Sequence, residues 1–301
     1  MKIRSLPPLA ALGLAVLIFL PACLGNTADP TTTSSTATTT PGTTVATTTT
    51  VAVTVTTPPN GAGCGSDVPP TDDGVLLDTA EPASDAEQIS TIGWETTEAC
   101  EVFTIEFTTD QGAPATTPPP AHAEFLRDVG VLRVSMGVEM TSVTDLLAET
   151  PLVRQIFVPR SPDRTLFVDL HLSDPALASV VTTSSPAQVV ISLEPGGSEY
   201  PASPAIAANV VLISPVEGPV ESPVVVSGYS RNFEANTIAR ITQGSDVLAE
   251  GFTTAADWSE TWGDFTLTLQ PTGTGPSDLF VGEQSAQDGS DRGAVIPIDL
   301  F

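Results

Sequence analysis

Beyond residue 85, apolar side chains recur at every second position in one segment after another. In Val102-Phe103-Thr104-Ile105-Glu106-Phe107-Thr108, Phe103, Ile105 and Phe107 share one face while Thr104 and Glu106 share the other. That period of two is the signature of a half-buried β-strand. Similar runs follow at 131–136, 153–158, 166–172 and 189–193, separated by turn formers at Pro118-Pro119-Pro120, 159–163, Asp174-Pro175 and Pro195-Gly196-Gly197. Short helical turns are predicted at 142–149 and 175–179. From 209 onward the pattern predicts about seven more strands, at 210–213, 224–226, 238–241, 247–252, 265–269, 279–281 and 295–300. Turn signals there are Gly218-Pro219, Gln243-Gly244-Ser245-Asp246 and Asp288-Gly289-Ser290-Asp291. Strand count and spacing predict an all-β fold with two β-sandwich domains, at 85–198 and 207–301. The second lacks cysteine, so its core must hold it unaided.

Residues 1–22 follow a different pattern. Lys2 and Arg4 precede an apolar run over 9–20, which spans roughly 18 Å as a helix. A membrane-crossing helix needs ~30 Å, so the run reads as a signal peptide. It ends in Leu20-Pro21-Ala22-Cys23, which resembles the lipobox of bacterial lipoproteins. The resemblance implies a diacylglycerol on the Cys23 sulfur, cleavage before Cys23, and a chain anchored by lipid at the outer face of the cell membrane. The competing reading is an ordinary secretory signal with an incidental cysteine. Residues 25–60 are dominated by Thr, with one charge at Asp29 and no aromatic residue. Such a tract cannot build a core, so 23–84 is expected to be a disordered linker. As a spacer it would reach roughly 35 Å as a coil and up to about 120 Å extended.

Charge narrows the partners. Thirty-six acidic residues against 10 Lys plus Arg give the chain a formal charge of -26. A surface this acidic repels phosphate backbones, which argues against nucleic acid. With Cys23 lipidated, Cys64 and Cys100 remain, and outside the cytoplasm the simplest expectation is a disulfide between them. The loop it closes would contribute at most about 4 kcal/mol. A metal pair is the alternative, although neither a histidine nor a second cysteine pair lies nearby in sequence.

Two family resemblances follow from motif series. Cys100-Glu101-Val102-Phe103, Gly130-Val131-Leu132-Arg133-Val134, Val153-Arg154-Gln155-Ile156-Phe157-Val158, Leu166-Phe167-Val168-Asp169-Leu170-His171-Leu172 and Ala187-Gln188-Val189-Val190-Ile191 together resemble the AMIN-like domain of actinobacterial surface proteins. The resemblance covers about 88–197 and implies a β-sandwich; the related AMIN domains bind or localise to peptidoglycan, usually without catalysis. Farther on, Ser222-Pro223-Val224-Val225-Val226-Ser227-Gly228, Asn232-Phe233-Glu234-Ala235-Asn236, Leu248-Ala249-Glu250-Gly251-Phe252 and Trp262-Gly263-Asp264-Phe265 resemble the immunoglobulin-like domain of bacterial spore germination proteins. Tyr229 and Ser230 depart from that family, where Phe or Val is common, a change expected to matter little.

Candidate chemistry is sparse. Asp169 and His171 share a strand face, a spacing that could orient an imidazole as a base; the bland reading is a solvated or hydrogen-bonded histidine. His122 and Glu124 have the spacing of a zinc-deaminase motif but lack the cysteine pair that completes it. Trp258 and Trp262 could stack on a sugar ring, or Trp262 could cover the end of the core. Glu234 could contact a ligand; otherwise 233–236 turns the chain with Phe233 packed inward. Asp288, Ser290 and Asp291 only faintly resemble a calcium loop. The sequence contains no nucleophile elbow, His-Glu-x-x-His or phosphate loop. The expectation is therefore a non-catalytic, lipid-anchored envelope protein without cofactor or metal, which binds or organises peptidoglycan or another wall component. The alternative is a surface adaptor that docks on partner proteins through its sandwich domains.

Overall fold

The alternation in Glu101–Thr108 becomes a strand that buries Phe103, Ile105 and Phe107 and leaves the side chains between them half-buried. It pairs antiparallel with Gln88–Thr96 on one side and Gln188–Pro195 on the other. The computed structural model describes residues 68–79 and 83–301, which fall within one compact unit, Ala52–Phe301. The expected signal peptide, Cys23, the Thr-rich tract over 25–60 and Cys64 lie outside the described residues.

Each sandwich has one five-stranded sheet of its own. In the first its order is Ala176–Thr183, Gln188–Pro195, Glu101–Thr108, Gln88–Thr96, Met140–Thr141. In the second it is Gly218–Val220, Asp291–Leu300, Gly275–Gln284, Asn236–Gln243, Asp246–Thr254. The facing layers are not separate. Both belong to one 11-stranded sheet that runs from Val75–Asp78 through Ala121–Leu126, Val131–Met136 and Leu166–Leu172, and ends through Trp262–Leu269, Val224–Ser230, Val210–Ser214 and Ala205–Ala207. The link is the two-residue strand Pro159–Arg160, antiparallel to Leu166–Leu172 and parallel to Trp262–Leu269. Phe103, Leu132, Leu170 and Ile191 centre the first core. Leu212, Ile241, Phe265 and Leu279 centre the second.

Several expectations are corrected. The helical turn at 175–179 is instead part of strand Ala176–Thr183, whose Ala176, Ala178 and Val180 alternate into the core; its β-branched end favours extended backbone. The helical turn at 142–149 gives way to strand Asp145–Leu147, antiparallel to Val153–Phe157. Gly218-Pro219 is not a simple turn but part of a strand running parallel to the C-terminal one. The turn signal at 159–163 contains the linking strand. At Gln243-Gly244-Ser245-Asp246 the turn forms as expected, with Gly244 at φ +62°, where a side chain would be strained.

The disordered linker expected over 23–84 does not extend to residue 84. Val75–Asp78 pairs with Ala121–Leu126, Thr71 bridges Ala178, and Leu76 and Leu77 pack on the first core. The residues Val75-Leu76-Leu77 are the apolar signal in that stretch, and the first sandwich begins before them. The second begins slightly early too, because Ala205–Ala207 pairs with Val210–Ser214. A chain starting at residue 85 should therefore unfold at lower urea than one starting at Val68, by about 3 kcal/mol for two partly buried leucines and their pairing. Coincident unfolding curves would contradict the assignment.

Candidate functional site

Strand Leu166–Leu172 has no solvent face; all its residues are buried. Leu166, Val168, Leu170 and Leu172 face the first core. Phe167, Asp169 and His171 point the other way, toward the second sandwich. That sandwich answers with the outer faces of its own strands. Val210, Leu212, Val224, Val226 and Phe265 fill its core, while Val211, Tyr229 and Trp262 join Phe157 and Phe167 in a third buried cluster. The rings meet edge to face, with Phe157 and Trp262 centroids 5.0 Å apart at 83° and Tyr229 and Trp262 6.0 Å apart at 84°. Such pairs add about 0.5–1.5 kcal/mol beyond their area burial.

Charged and polar groups are set into this seam. Arg133 donates from Nε and Nη2 to the two carboxylate oxygens of Asp169 at 2.8 and 2.7 Å, and its guanidinium lies 4.1 Å over the Phe167 ring. Burial opposes the Arg133 charge, but the Asp169 carboxylate more than offsets it and holds the guanidinium above its usual basicity. Asp264 approaches from the second sandwich. Burial raises its carboxyl to about 6 against the pull of Arg133. His171 Nε2 is hydrogen-bonded to Tyr229 Oη, and its Nδ1 has no partner. Burial, helped by the positive Arg154 and Arg133, pushes the imidazole down to about 3. Burial likewise raises the Tyr229 phenol, so both rings are neutral at pH 7.

The seam is latched beside the linking strand. Arg160, only 7% exposed, donates to Asp257 Oδ2 and Glu260 Oε2 at 2.8 Å each and to the Glu139 carbonyl at 2.7 Å. Thr261 Oγ1 donates to the Val158 carbonyl, and Trp262 Nε1 to Asp145 Oδ1 at 3.2 Å. Gly263 sits so close to the 256–257 backbone that a Cβ there would lie 2.1 Å from the Asp257 nitrogen.

These positions overturn several readings. Asp169 is spent on Arg133 and does not orient His171, which is hydrogen-bonded, as its bland reading allowed, but enclosed rather than solvated; neither can serve as a solvent-accessible base. Trp262 is buried in the seam and offers no face to a sugar. Phe233 is not packed inward. Its N–H donates to Glu283 Oε2 at 2.9 Å, and positive φ at Glu234 and Ala235 turns Ala235 into the core instead. Phe233 is 65% exposed and meets Trp258, 39% exposed, at 5.5 Å. Glu234 stands exposed beside them. Trp258 and Trp262 thus have separate surroundings. Cys100 is buried; its expected partner Cys64 lies outside the described residues. His122 is half-exposed, 3.8 Å from Asp78 and 3.9 Å from Glu124. Asp288 is held down to about 2 by the Ser290 hydroxyl and N–H, so its oxygens close a turn. Among the described residues, no three potential metal ligands come together.

Tyr229, Arg160 and Phe157 are seam residues that sequence reasoning passed over. The available signal was apolar character on both parities, as in Val210-Val211-Leu212-Ile213 and Leu166-Phe167-Val168, which marks a strand covered on two faces.

Residues 209–290 match the model of the immunoglobulin-like domain of bacterial spore germination. The match stops just short of strand Asp291–Leu300, which completes that sandwich. This is not a catalytic family, and it points to a surface or adaptor-type domain. No curated protein and no solved structure matches the chain.

The two displaced groups pull stability in opposite directions with pH. Native His171 cannot take the proton that the unfolded chain binds, so stability falls as pH drops from 6.5 through about 3. Native Asp264 keeps a proton that the unfolded chain has lost. Its contribution is complete below pH 3.8 and is lost as pH rises through about 6. Over the shared range the slopes cancel. Asp264→Asn should therefore exceed the parent at pH 7.5 by roughly 1–3 kcal/mol, match it near pH 3.5, and show the uncancelled acid sensitivity of His171 between. Urea unfolding at several pH values checks this; a difference that does not vary with pH would refute the assignment.

Proposed function

We propose that the chain is a lipid-anchored, non-catalytic envelope protein whose fused pair of sandwiches binds or organises peptidoglycan or another wall component. The observation that carries the non-catalytic part is the enclosure of His171. The strand motif with the best spacing for base chemistry is walled in, neutral, and bonded to Tyr229. Its Asp169 neighbour is committed to Arg133. This seam positions surfaces and does not process substrate.

The wall assignment draws support from elsewhere. The signal-like run over 9–20 and the lipobox-like ending at Cys23 support a position outside the membrane, and the length of the Thr-rich tract supports reach into a wall. The segment over 88–197 resembles the AMIN-like domain, and an immunoglobulin-like domain follows it. A strongly acidic chain also keeps clear of polyanions, which leaves neutral or cationic wall chemistry. One observation favours the adaptor reading. Strand Asp246–Thr254 is an unpaired sheet edge with Phe252 75% and Val247 55% exposed, a template on which a partner strand could add.

Soluble chain from Leu24 onward should pellet with purified sacculi, and the pelleting should survive raised salt and compete with soluble wall fragments. Protein left in the supernatant at concentrations on the order of tens of micromolar would defeat the wall reading. Saturable binding to one defined surface protein instead would select the adaptor.

A further inference from the structure

Exposed aromatic rings that touch each other are costly to leave in water, and this chain displays such a pair on purpose-built supports. Phe233 and Trp258 come from different loops, the turn Phe233–Ala235 and the segment before strand Trp262–Leu269. Their rings meet edge to face at 5.5 Å and 70°. Neither loop depends on a ligand for its form. Asp257 Oδ1 accepts from the N–H groups of Trp258, Ser259 and Glu260 at 2.6, 2.9 and 3.2 Å. The other Asp257 oxygen is held by Arg160 of the first sandwich, so the seam braces the tryptophan loop. Glu283 fixes Phe233 by its backbone N–H.

From this geometry we infer that Phe233 and Trp258 form a glycan-binding shelf, and that its ligand is the neutral amino-sugar backbone of the wall. The inference rests on the wall-binding reading and assigns its site to the second sandwich. A T-shaped pair uses the edge of one ring and a face of the other, and with Phe233 65% and Trp258 39% exposed, ring surface remains in solvent. The pair does not converge on a cavity, as the enclosure of a cation requires. An open face with a negative quadrupole suits the C–H side of a pyranose ring. Glu234 beside Phe233, and the Glu260 oxygen that Arg160 does not hold, belong to exposed residues and supply acceptors for sugar hydroxyls. The same carboxylates repel phosphate polymers.

Three probes test the shelf on the chain from Leu24 onward: intact sacculi, glycan strands stripped of stem peptides, and a β-1,4-linked N-acetylglucosamine tetramer followed by tryptophan fluorescence. Trp258→Ala and Phe233→Ala should each weaken binding to stripped glycan at least tenfold, with Trp258→Tyr restoring most of it. Both positions are exposed, so melting temperatures should stay near the parent's and exclude misfolding as the cause. If the parent pellets with sacculi and the alanine variants pellet equally, the shelf is wrong while the wall reading stands. If the parent ignores sacculi, the wall reading falls and the tetramer decides alone. A fluorescence response abolished by Trp258→Ala then supports the shelf, and none overturns it.

Discussion

Pairing of Pro159–Arg160 with Trp262–Gly263 places both sandwiches on one hydrogen-bonded sheet, and the outer faces of its two halves then close on each other. Several features of the described residues follow from that closure. It explains why Leu166–Leu172 is buried on both sides, and why a histidine with catalytic spacing is sealed. It also explains how an aromatic loop on the second sandwich comes to be braced by an arginine of the first. Gly263 shows how tight the closure is, since even a methyl group there would meet backbone.

Magnitudes indicate which part of the seam drives it. Fully burying a large apolar side chain contributes roughly 1.5–3 kcal/mol, and Phe157, Phe167, Val211, Tyr229 and Trp262 are all buried there. A buried ion pair is close to break-even, because losing water offsets most of the Coulomb gain. Arg160 with Asp257, which crosses the seam, therefore adds less to its depth than to its uniqueness, whereas Arg133 with Asp169 joins neighbouring strands of the first sandwich. The donors and acceptors of Arg160 and Asp257 meet in one register only, and separating them leaves a charge stranded. The His171–Tyr229 bond acts similarly at small net gain.

Much of the fold was legible from alternation. Glu101–Thr108, Val131–Met136 and seven strands of the second sandwich lie where period-two patterning placed them, while Ala205–Ala207 and Gly218–Val220 were not foreseen. The errors at the seam have one physical source. Parity tells that a face is apolar or polar without telling what covers it. Phe167, Asp169 and His171 look like an outer face, and in one sense they are, but a second sandwich lies on it. Tyr229 looked like a harmless departure from the immunoglobulin-like family, yet it is fully buried and bonded to a residue 58 positions away, a distance over which local pattern is silent. Phe233, expected to pack inward, stayed out on a strained turn, while Trp262, for which a covering role was one reading, went inside against the other sandwich. Pro159–Arg160 was hidden because a two-residue strand between turn formers carries no period at all.

Such rigidity favours binding, because surfaces fixed relative to one another need no ordering when they engage. The account therefore stands on the two sandwiches behaving as one thermodynamic unit. Scanning calorimetry of the chain from Leu24 onward tests this most directly. A single transition, with calorimetric and van't Hoff enthalpies equal, is the predicted result. Two resolved transitions, one for each sandwich, would contradict it.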